Sequence, residues 1–271
     1  MVVSNDGDRA PTYYLSSDAP LYYYSFTDAA IAMAYKSLTR EMEQKRFDPM
    51  ITGFSPTDMY AADHIRRTLL TFPGVFSGIG EFSIHKEFVS AKIAGEVASL
   101  DDRTLDKILD FAAEVGLVVL IHNDMDTPFP KAGAAPAYLA QMRALLKRHP
   151  KTTIIWAHTG MRRVVRPVKD HAGALEAILK DPQFSHVNFD ISWDEVAKYL
   201  VSTPATTKIA ADLITRYPDR FLFGTDEAEP ANQAGYLKIY DQYASLWNAL
   251  DKQTSEKLRK GNYGESSISA A

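Results

Sequence analysis

Leu117-Val118-Val119-Leu120-Ile121-His122 decides how the rest of the chain is read. An unbroken apolar run rich in β-branched residues describes a strand covered on both faces, since a half-buried strand would alternate apolar with polar. Helical segments flank it. Before it, Asp102-Arg103-Thr104-Leu105 through Glu114-Val115 repeats apolar residues at helical spacing and stops at Gly116, a residue type suited to the position just past a helix. After it, Pro136-Ala137-Tyr138-Leu139 through Lys147-Arg148 carries cations in its last turn, with Pro150 just beyond. Strands and helices in alternation imply βαβ crossovers and a parallel sheet.

The same kind of run recurs as Asp48-Pro49-Met50-Ile51-Thr52-Gly53-Phe54, Val75-Phe76-Ser77-Gly78-Ile79-Gly80-Glu81 and Thr152-Thr153-Ile154-Ile155-Trp156-Ala157-His158. Val187-Asn188-Phe189-Asp190 and Phe221-Leu222-Phe223-Gly224-Thr225-Asp226 complete the set, with a helix from Ala205 to Arg216 between them, stopped by Pro218. From Glu81 through His122, His158 and Asp190 to Asp226 the intervals are 41, 36, 32 and 36 residues, the length of a strand–helix unit in a (β/α)8 (TIM) barrel. A doubly wound sheet would carry a Gly-rich phosphate turn after an early strand, and neither GxGxxG nor GxxxxGK[ST] occurs. The expected fold is therefore an α/β barrel of the (β/α)8 kind with six clear strands. Only Val2-Val3 resembles the remnant of an earlier one, so the first strand is expected to be absent, with the chain beginning inside the second βα unit.

Three segments are expected. Residues 1–46 form a Tyr-rich loop (Arg9 to Phe26) and a helix capped by Thr27, packing on the barrel; residues 47–264 form the barrel; residues 265–271 form a disordered tail. The early aromatics Tyr13, Tyr14, Tyr22, Tyr23, Tyr24 and Phe26 are expected to pack over an open edge, with a substrate lid as the alternative.

Composition excludes several classes. The 271 residues are 46% hydrophobic and 24% charged, which supports a large buried core. With 30 basic against 34 acidic residues, nucleic acid is not expected as a partner. No apolar run approaches the roughly 18–20 residues of a membrane span, and the polar start lacks a secretory h-region. The expected location is cytoplasmic, or periplasmic if a leader preceded Met1. Absence of cysteine rules out thiolate metal sites and cysteine nucleophiles.

Function is read from position. Glu81, His122, His158, Asp190 and Asp226 each close an apolar run, so all five should face the C-terminal mouth of the barrel, where barrel enzymes place their chemistry. Imidazole and carboxylate are the donors for zinc, manganese or iron when thiolates are missing. Each has a plainer alternative: His122 and His158 as core histidines, Asp226 as a helix cap, Glu81 as the partner of Lys86 or Arg66, Asp190 as support. His85 and Lys86, just past Glu81, and Asp190 are candidates for substrate contact. His64, His149, His171 and His186 lie in helical or pre-strand settings and read as structural.

From about Phe47 to Tyr263 the chain resembles the amidohydrolase-related superfamily of metal-dependent barrel hydrolases, which includes some decarboxylases. The resemblance rests on Gly78-Ile79-Gly80-Glu81, Val119-Leu120-Ile121-His122, Trp156-Ala157-His158-Thr159-Gly160 and Phe221-Leu222-Phe223-Gly224-Thr225-Asp226, with Gly261-Asn262-Tyr263 near the end. It implies that His122 is a metal ligand and His158 a second ligand or catalytic histidine. Asp226 would bind metal and take the proton of the attacking water, and Glu81 would be a further carboxylate ligand. The implied cofactor is a divalent ion, zinc first, with manganese or iron as alternatives. The family's first-strand His-x-His has no counterpart, since no such triplet occurs in the chain. His122, His158 and Asp226 would still leave an open position for water. The resulting expectation is hydrolysis of an amide, ester or lactone of a small molecule. Non-oxidative decarboxylation and a catalytically inactive binding barrel are the alternatives, and open strand edges lead to an expectation of homo-oligomers.

Overall fold

The computed structural model describes residues 26–86, 92–93, 96–127, 129–131, 133–161, 167–227 and 232–264. The expected loop before Phe26, the residues Val2-Val3 and the tail 265–271 lie outside these. Eight strands are present among the described residues: β1 (Met50–Ile51), β2 (Gly78–Ser83), β3 (Lys92–Ile93), β4 (Glu96–Val97), β5 (Val118–His122), β6 (Ile154–Trp156), β7 (Val187–Asp190) and β8 (Phe221–Leu222). Six form one sheet in the order β1-β2-β5-β6-β7-β8, every pair parallel, while β3 and β4 make a separate antiparallel ribbon. Successive parallel neighbours joined through helices are the winding of a (β/α)8 barrel. The six strands of this sheet are those read from the sequence.

Helices form where the caps dictate. Helix Arg103–Val115 begins at Asp102, whose carboxylate accepts from the backbone of Thr104, and ends at Gly116 in the left-handed conformation (φ 73°). Pro204–Arg216 starts on a capping box between Thr203 and Thr206. The N-terminal helix departs from expectation. It spans Thr27–Ser37, follows Phe26 without a side-chain cap, and breaks at residues 38–40 before a short helix, Glu41–Gln44.

The sheet sorts its side chains by face. Ile79, Val119, Ile121, Ile154, Trp156, Phe189 and Phe221 join the main core with the surrounding helices. The opposite face carries only a small cluster, Val118, Ile155 and Leu222 with Met50 and Leu120 against it. Because strand side chains alternate, Val118, Leu120 and His122 share this inner face, and His122 arrives at its upper end.

Two buried clasps hold the periphery. His149 lies between the carboxylates of Asp106 (2.7 Å) and Asp110 (3.0 Å) and ties Leu139–Arg148 to Arg103–Val115. Asp28, 2% exposed, accepts from the backbone nitrogens of Thr52 (3.0 Å) and Gly53 (2.9 Å) and so pins the first helix to the exit of β1. Asp28→Ala strands both donors; unfolding in urea should show a loss of about 2 kcal/mol, and an unchanged midpoint would refute the clasp. No described helix is long and apolar enough to cross a membrane.

Candidate active site

The loops after the strands carry the chemistry, and their backbone is unusual. Among the described residues five non-glycines have left-handed backbone: His158 (φ 56°), Thr159 (53°), Asp170 (55°), Trp193 (90°) and Asp226 (51°). Asp170 caps helix His171–Leu179. The others follow β6, β7 and β8 at the mouth, and such strain persists where surrounding structure over-determines it. The turn at His158 and Thr159 is held from beneath: Thr159 Oγ1 donates to the His158 carbonyl (2.6 Å), and half-buried His171 Nε2 reaches the Thr159 carbonyl (2.8 Å). His158 thus lies in a turn after β6, Asp226 four residues beyond β8, and Glu81 within β2; only His122 and Asp190 are terminal strand residues.

Four of the expected residues converge. Glu81 Oε1 lies 3.2 Å from His122 Nδ1 and Glu81 Oε2 lies 3.2 Å from His158 Nε2. Asp226 Oδ2 is 3.7 Å from the same His158 nitrogen. Asp190 stands on the far side of His158, its Oδ2 3.4 Å from Nδ1, and so orients that ring. Lys86 Nζ pairs with Glu81 (3.0 Å) and faces the Trp193 ring at 5.9 Å. The plainer Glu81–Lys86 pairing therefore coexists with the site, whereas Arg66 pairs with Glu114 instead. His85 is buried against Tyr138, its ring stacked at 3.8 Å, and is not among the described residues lining the central cavity.

The outward nitrogens of both imidazoles are committed. His122 Nε2 meets buried Asp124 at 3.1 Å. Ser192 Oγ donates to Asp190 Oδ2 (2.5 Å), leaving its oxygen to accept from His158 Nδ1 (3.2 Å). These contacts select the tautomers in which His122 Nδ1 and His158 Nε2 carry lone pairs. Both inward nitrogens are buried and neither has a partner in hydrogen-bond geometry. Glu81, His122 and His158 each offer one donor atom, all within 4.8 Å of one another. Imidazoles backed by carboxylates, with lone pairs converging beside a third carboxylate, fit a divalent cation.

With protons on the inward nitrogens in place of a metal ion, the same groups pair with one another. Burial pushes the Glu81 carboxyl up, but the His122 and His158 rings and the Lys86 ammonium outweigh it and hold Glu81 well below the usual carboxylate range. Burial lowers His158, yet Glu81, Asp190 and Asp226 together raise it above the ordinary imidazole value. Asp226 is raised by burial and by the charges of Glu81 and Asp190, against the pull of His158 and Lys86. A surplus of carboxylates around one imidazole draws a cation, and a metal ion competes with the proton for that place.

Sequence reading missed three residues. Asp124, two beyond His122, and Ser192, two beyond Asp190, are the orienting partners; a polar residue two past each strand end was their only signal. Trp193 packs its ring 4.9 Å from that of His158 and walls the site, but an isolated tryptophan looks like core. Asp124→Ala should weaken binding of a divalent ion by about 10- to 100-fold in a competitive chelator titration; an unchanged affinity would remove Asp124 from the centre.

A parallel barrel whose loops bring two oriented imidazoles and two carboxylates to one mouth defines the class of barrel proteins with a carboxylate–imidazole centre. Within that class the chain belongs to the amidohydrolase family, whose model matches residues 24–262. The match begins before the barrel's first described strand and takes in helix Thr27–Ser37. Among solved structures, an uncharacterized TIM-barrel protein from Bordetella bronchiseptica is 17% identical over 90% of this chain and 72% of its own, with a TM-score of 0.56. A 5-carboxyvanillate decarboxylase from Novosphingobium aromaticivorans, complexed with manganese and 4-hydroxy-3-methoxy-5-nitrobenzoic acid, is 18% identical over 98% and 72%, at 0.52. A dihydroorotase from Campylobacter jejuni is 12% identical over 88% and 70%, at 0.50. These identities establish the fold alone. No curated protein matches the chain.

Proposed function

We propose that this protein is a metal-dependent hydrolase that cleaves an amide, ester or lactone of a small molecule. One observation carries the reading: the Glu81 carboxylate bridges two buried imidazole nitrogens that carboxylates on their far sides leave as lone pairs, with Asp226 beside them. His122, His158, Glu81 and Asp226 would hold the ion, zinc first and manganese or iron as alternatives. When bound, the ion supplies Lewis-acid polarisation of the scissile carbonyl and a lowered pKa for the attacking water.

The chain's own groups do the rest. Asp226, its basicity raised, accepts the proton of the attacking water and returns it to the leaving group. Asp124, Asp190 and Ser192 keep the imidazole lone pairs aimed inward. Lys86 neutralises part of the Glu81 charge, and Trp193 excludes water from the imidazole side. A cavity of about 300 Å³ beside Glu81 and Asp226 matches a small substrate.

The test is elemental analysis of the purified chain after loading with zinc or manganese, followed by ester, lactone, amide and carboxylated-aromatic panels read for acid release and for CO2. Stoichiometric metal with hydrolysis supports the reading. CO2 release without hydrolysis overturns it in favour of decarboxylation, and a chain that holds no metal overturns it in favour of an inactive barrel. Self-association is part of the same proposal, supported by the open edges that β1 and β8 present among the described residues; a monomer in light scattering would overturn that part.

A further inference from the structure

Trp193, in the loop after β7, has a φ of 90°. For a bulky side chain that is a genuine outlier, and strain of this kind persists where neighbouring groups hold it in place. Two features go with the conformation. The Trp193 ring faces the site, 4.9 Å from the His158 ring and 6.4 Å from the His122 ring. The carbonyls of Ile191 and Trp193, which bracket Ser192, turn toward one point in the core.

The phenol of Tyr243 occupies that point. Its Oη donates to the Ile191 carbonyl (2.5 Å) and lies 3.0 Å from the Trp193 carbonyl, which also accepts from the Ala197 nitrogen. Tyr243 is 0% exposed and sits at the junction of helices Gln233–Gln242 and Ala244–Ala249. Its ring packs on Phe223 (centroids 5.0 Å apart) and Trp247 (5.7 Å). Phe223 directly follows β8, three residues ahead of Asp226. Burial, with the charges of Asp190 and Asp194, pushes the phenol well above its ordinary range, so it keeps its proton and stays a donor. One side chain therefore ties the loop that carries Asp190, Ser192 and Trp193 to the exit of the strand that leads to Asp226.

We propose that Tyr243 is a positioning residue of the centre. Its hydroxyl fixes the Ile191–Trp193 turn, and through that turn the Ser192 oxygen that aims the His158 ring and the indole that walls both imidazoles. Phenylalanine would pack as well against Phe223 and Trp247; the hydroxyl is what the turn requires, because a buried carbonyl without a donor is costly. The consequence for a bound ion rests on the metal-centre reading, whereas the consequences for the turn and for His158 do not.

The experiment compares Tyr243→Phe, which removes one oxygen and keeps the ring, with His149→Ala. His149 precedes β6, at the end of the strands away from the mouth, so its loss destabilises the fold without touching the turn. Two readouts need neither metal nor turnover. In amide hydrogen exchange, residues 191–193 should exchange about tenfold faster in Tyr243→Phe and at the wild-type rate in His149→Ala. In proton NMR, the His158 ring signals, displaced by the ring current of Trp193, should move in Tyr243→Phe and stay in place in His149→Ala. On the metal-centre reading, chelator competition after zinc loading should also show affinity weakened about tenfold in Tyr243→Phe alone. Unchanged exchange, unmoved His158 signals, or effects equalled by His149→Ala would overturn the proposal. If Tyr243→Phe does not fold, judged by circular dichroism, exchange in the wild-type chain decides. Residues 191–193 as well protected as β7 support the proposal, and protection no greater than that of the exposed helix Glu41–Gln44 overturns it. Failure of the hydrolase reading would appear separately, as a wild-type chain that takes up no metal while the turn and His158 still respond to Tyr243→Phe.

Discussion

The double variant His122→Ala, Asp226→Ala should lose any divalent ion that the wild-type chain takes up on metal loading, and on the proposed function its kcat/KM for an ester should fall by a factor of about 10⁴ or more. His122 is 1% exposed and supplies one of two inward lone pairs, and Asp226 is the carboxylate whose raised basicity suits proton transfer. On the proposed function, removing both takes away a donor and the general base at once. Two controls separate chemistry from folding. Loss of the His122 ring removes one partner of buried Asp124, so part of any loss in the double variant is destabilisation, visible as a lower thermal midpoint. The Asp226 side chain is 37% exposed, and Asp226→Asn keeps its shape, so this single variant should fold like wild type. It should retain the Glu81, His122 and His158 donors while losing about 10²- to 10⁴-fold in rate, the worth of a general base. Metal content and rate unchanged in both variants would refute the centre.

Much of this molecule could be read from its residues, and the reasons are local. Parallel strands buried on both faces must be apolar throughout, so β5, β6 and β7 stand out against amphipathic helices, and a polar residue at the end of such a run has little to do but face the mouth. That logic reached Glu81, His122, His158, Asp190 and Asp226. It does not reach what depends on tertiary contacts. Asp190 lines the cavity and also meets His158 and Ser192, and nothing near it in the sequence separates substrate contact from support. His85 sits on a loop, where exposure is the default, yet the Tyr138 ring covers it. The helix expected to continue through Arg46 stops at Ser37, although its sequence contains no proline or glycine to stop it. The barrel's inner cavity was also invisible, because an apolar strand residue looks the same whether it meets packed neighbours or open space.

Gly80→Ala should cost about 4 kcal/mol of folding stability and abolish metal binding in whatever fraction remains folded. Gly80 has a φ of +127°, and a Cβ there would lie 2.1 Å from the carbonyl oxygen of Leu120 and 2.9 Å from its Cβ. That oxygen belongs to the neighbouring strand β5 and cannot swing aside as a flexible side chain could, so the strands must separate or the turn must change. Either response falls on the active site. Pairing of β2 with β5 runs Ile79↔Val119 and then Phe82↔Ile121, so three steps on one strand oppose two on the other, and the irregularity spans Gly80 and Glu81. A bulge of this kind re-aims a side chain, and here the residue re-aimed is Glu81, whose two oxygens must reach His122 and His158. Gly74→Ala is the control for a positive φ alone: its φ of +72° lies at the left-handed region that an L-residue can enter at about 1 kcal/mol, and a Cβ there meets nothing within 4 Å. It should lose only about 1 kcal/mol and bind metal like wild type. Equal losses in the two variants, or metal binding that survives Gly80→Ala, would mean that the close approach of β2 to β5 does not set the position of Glu81.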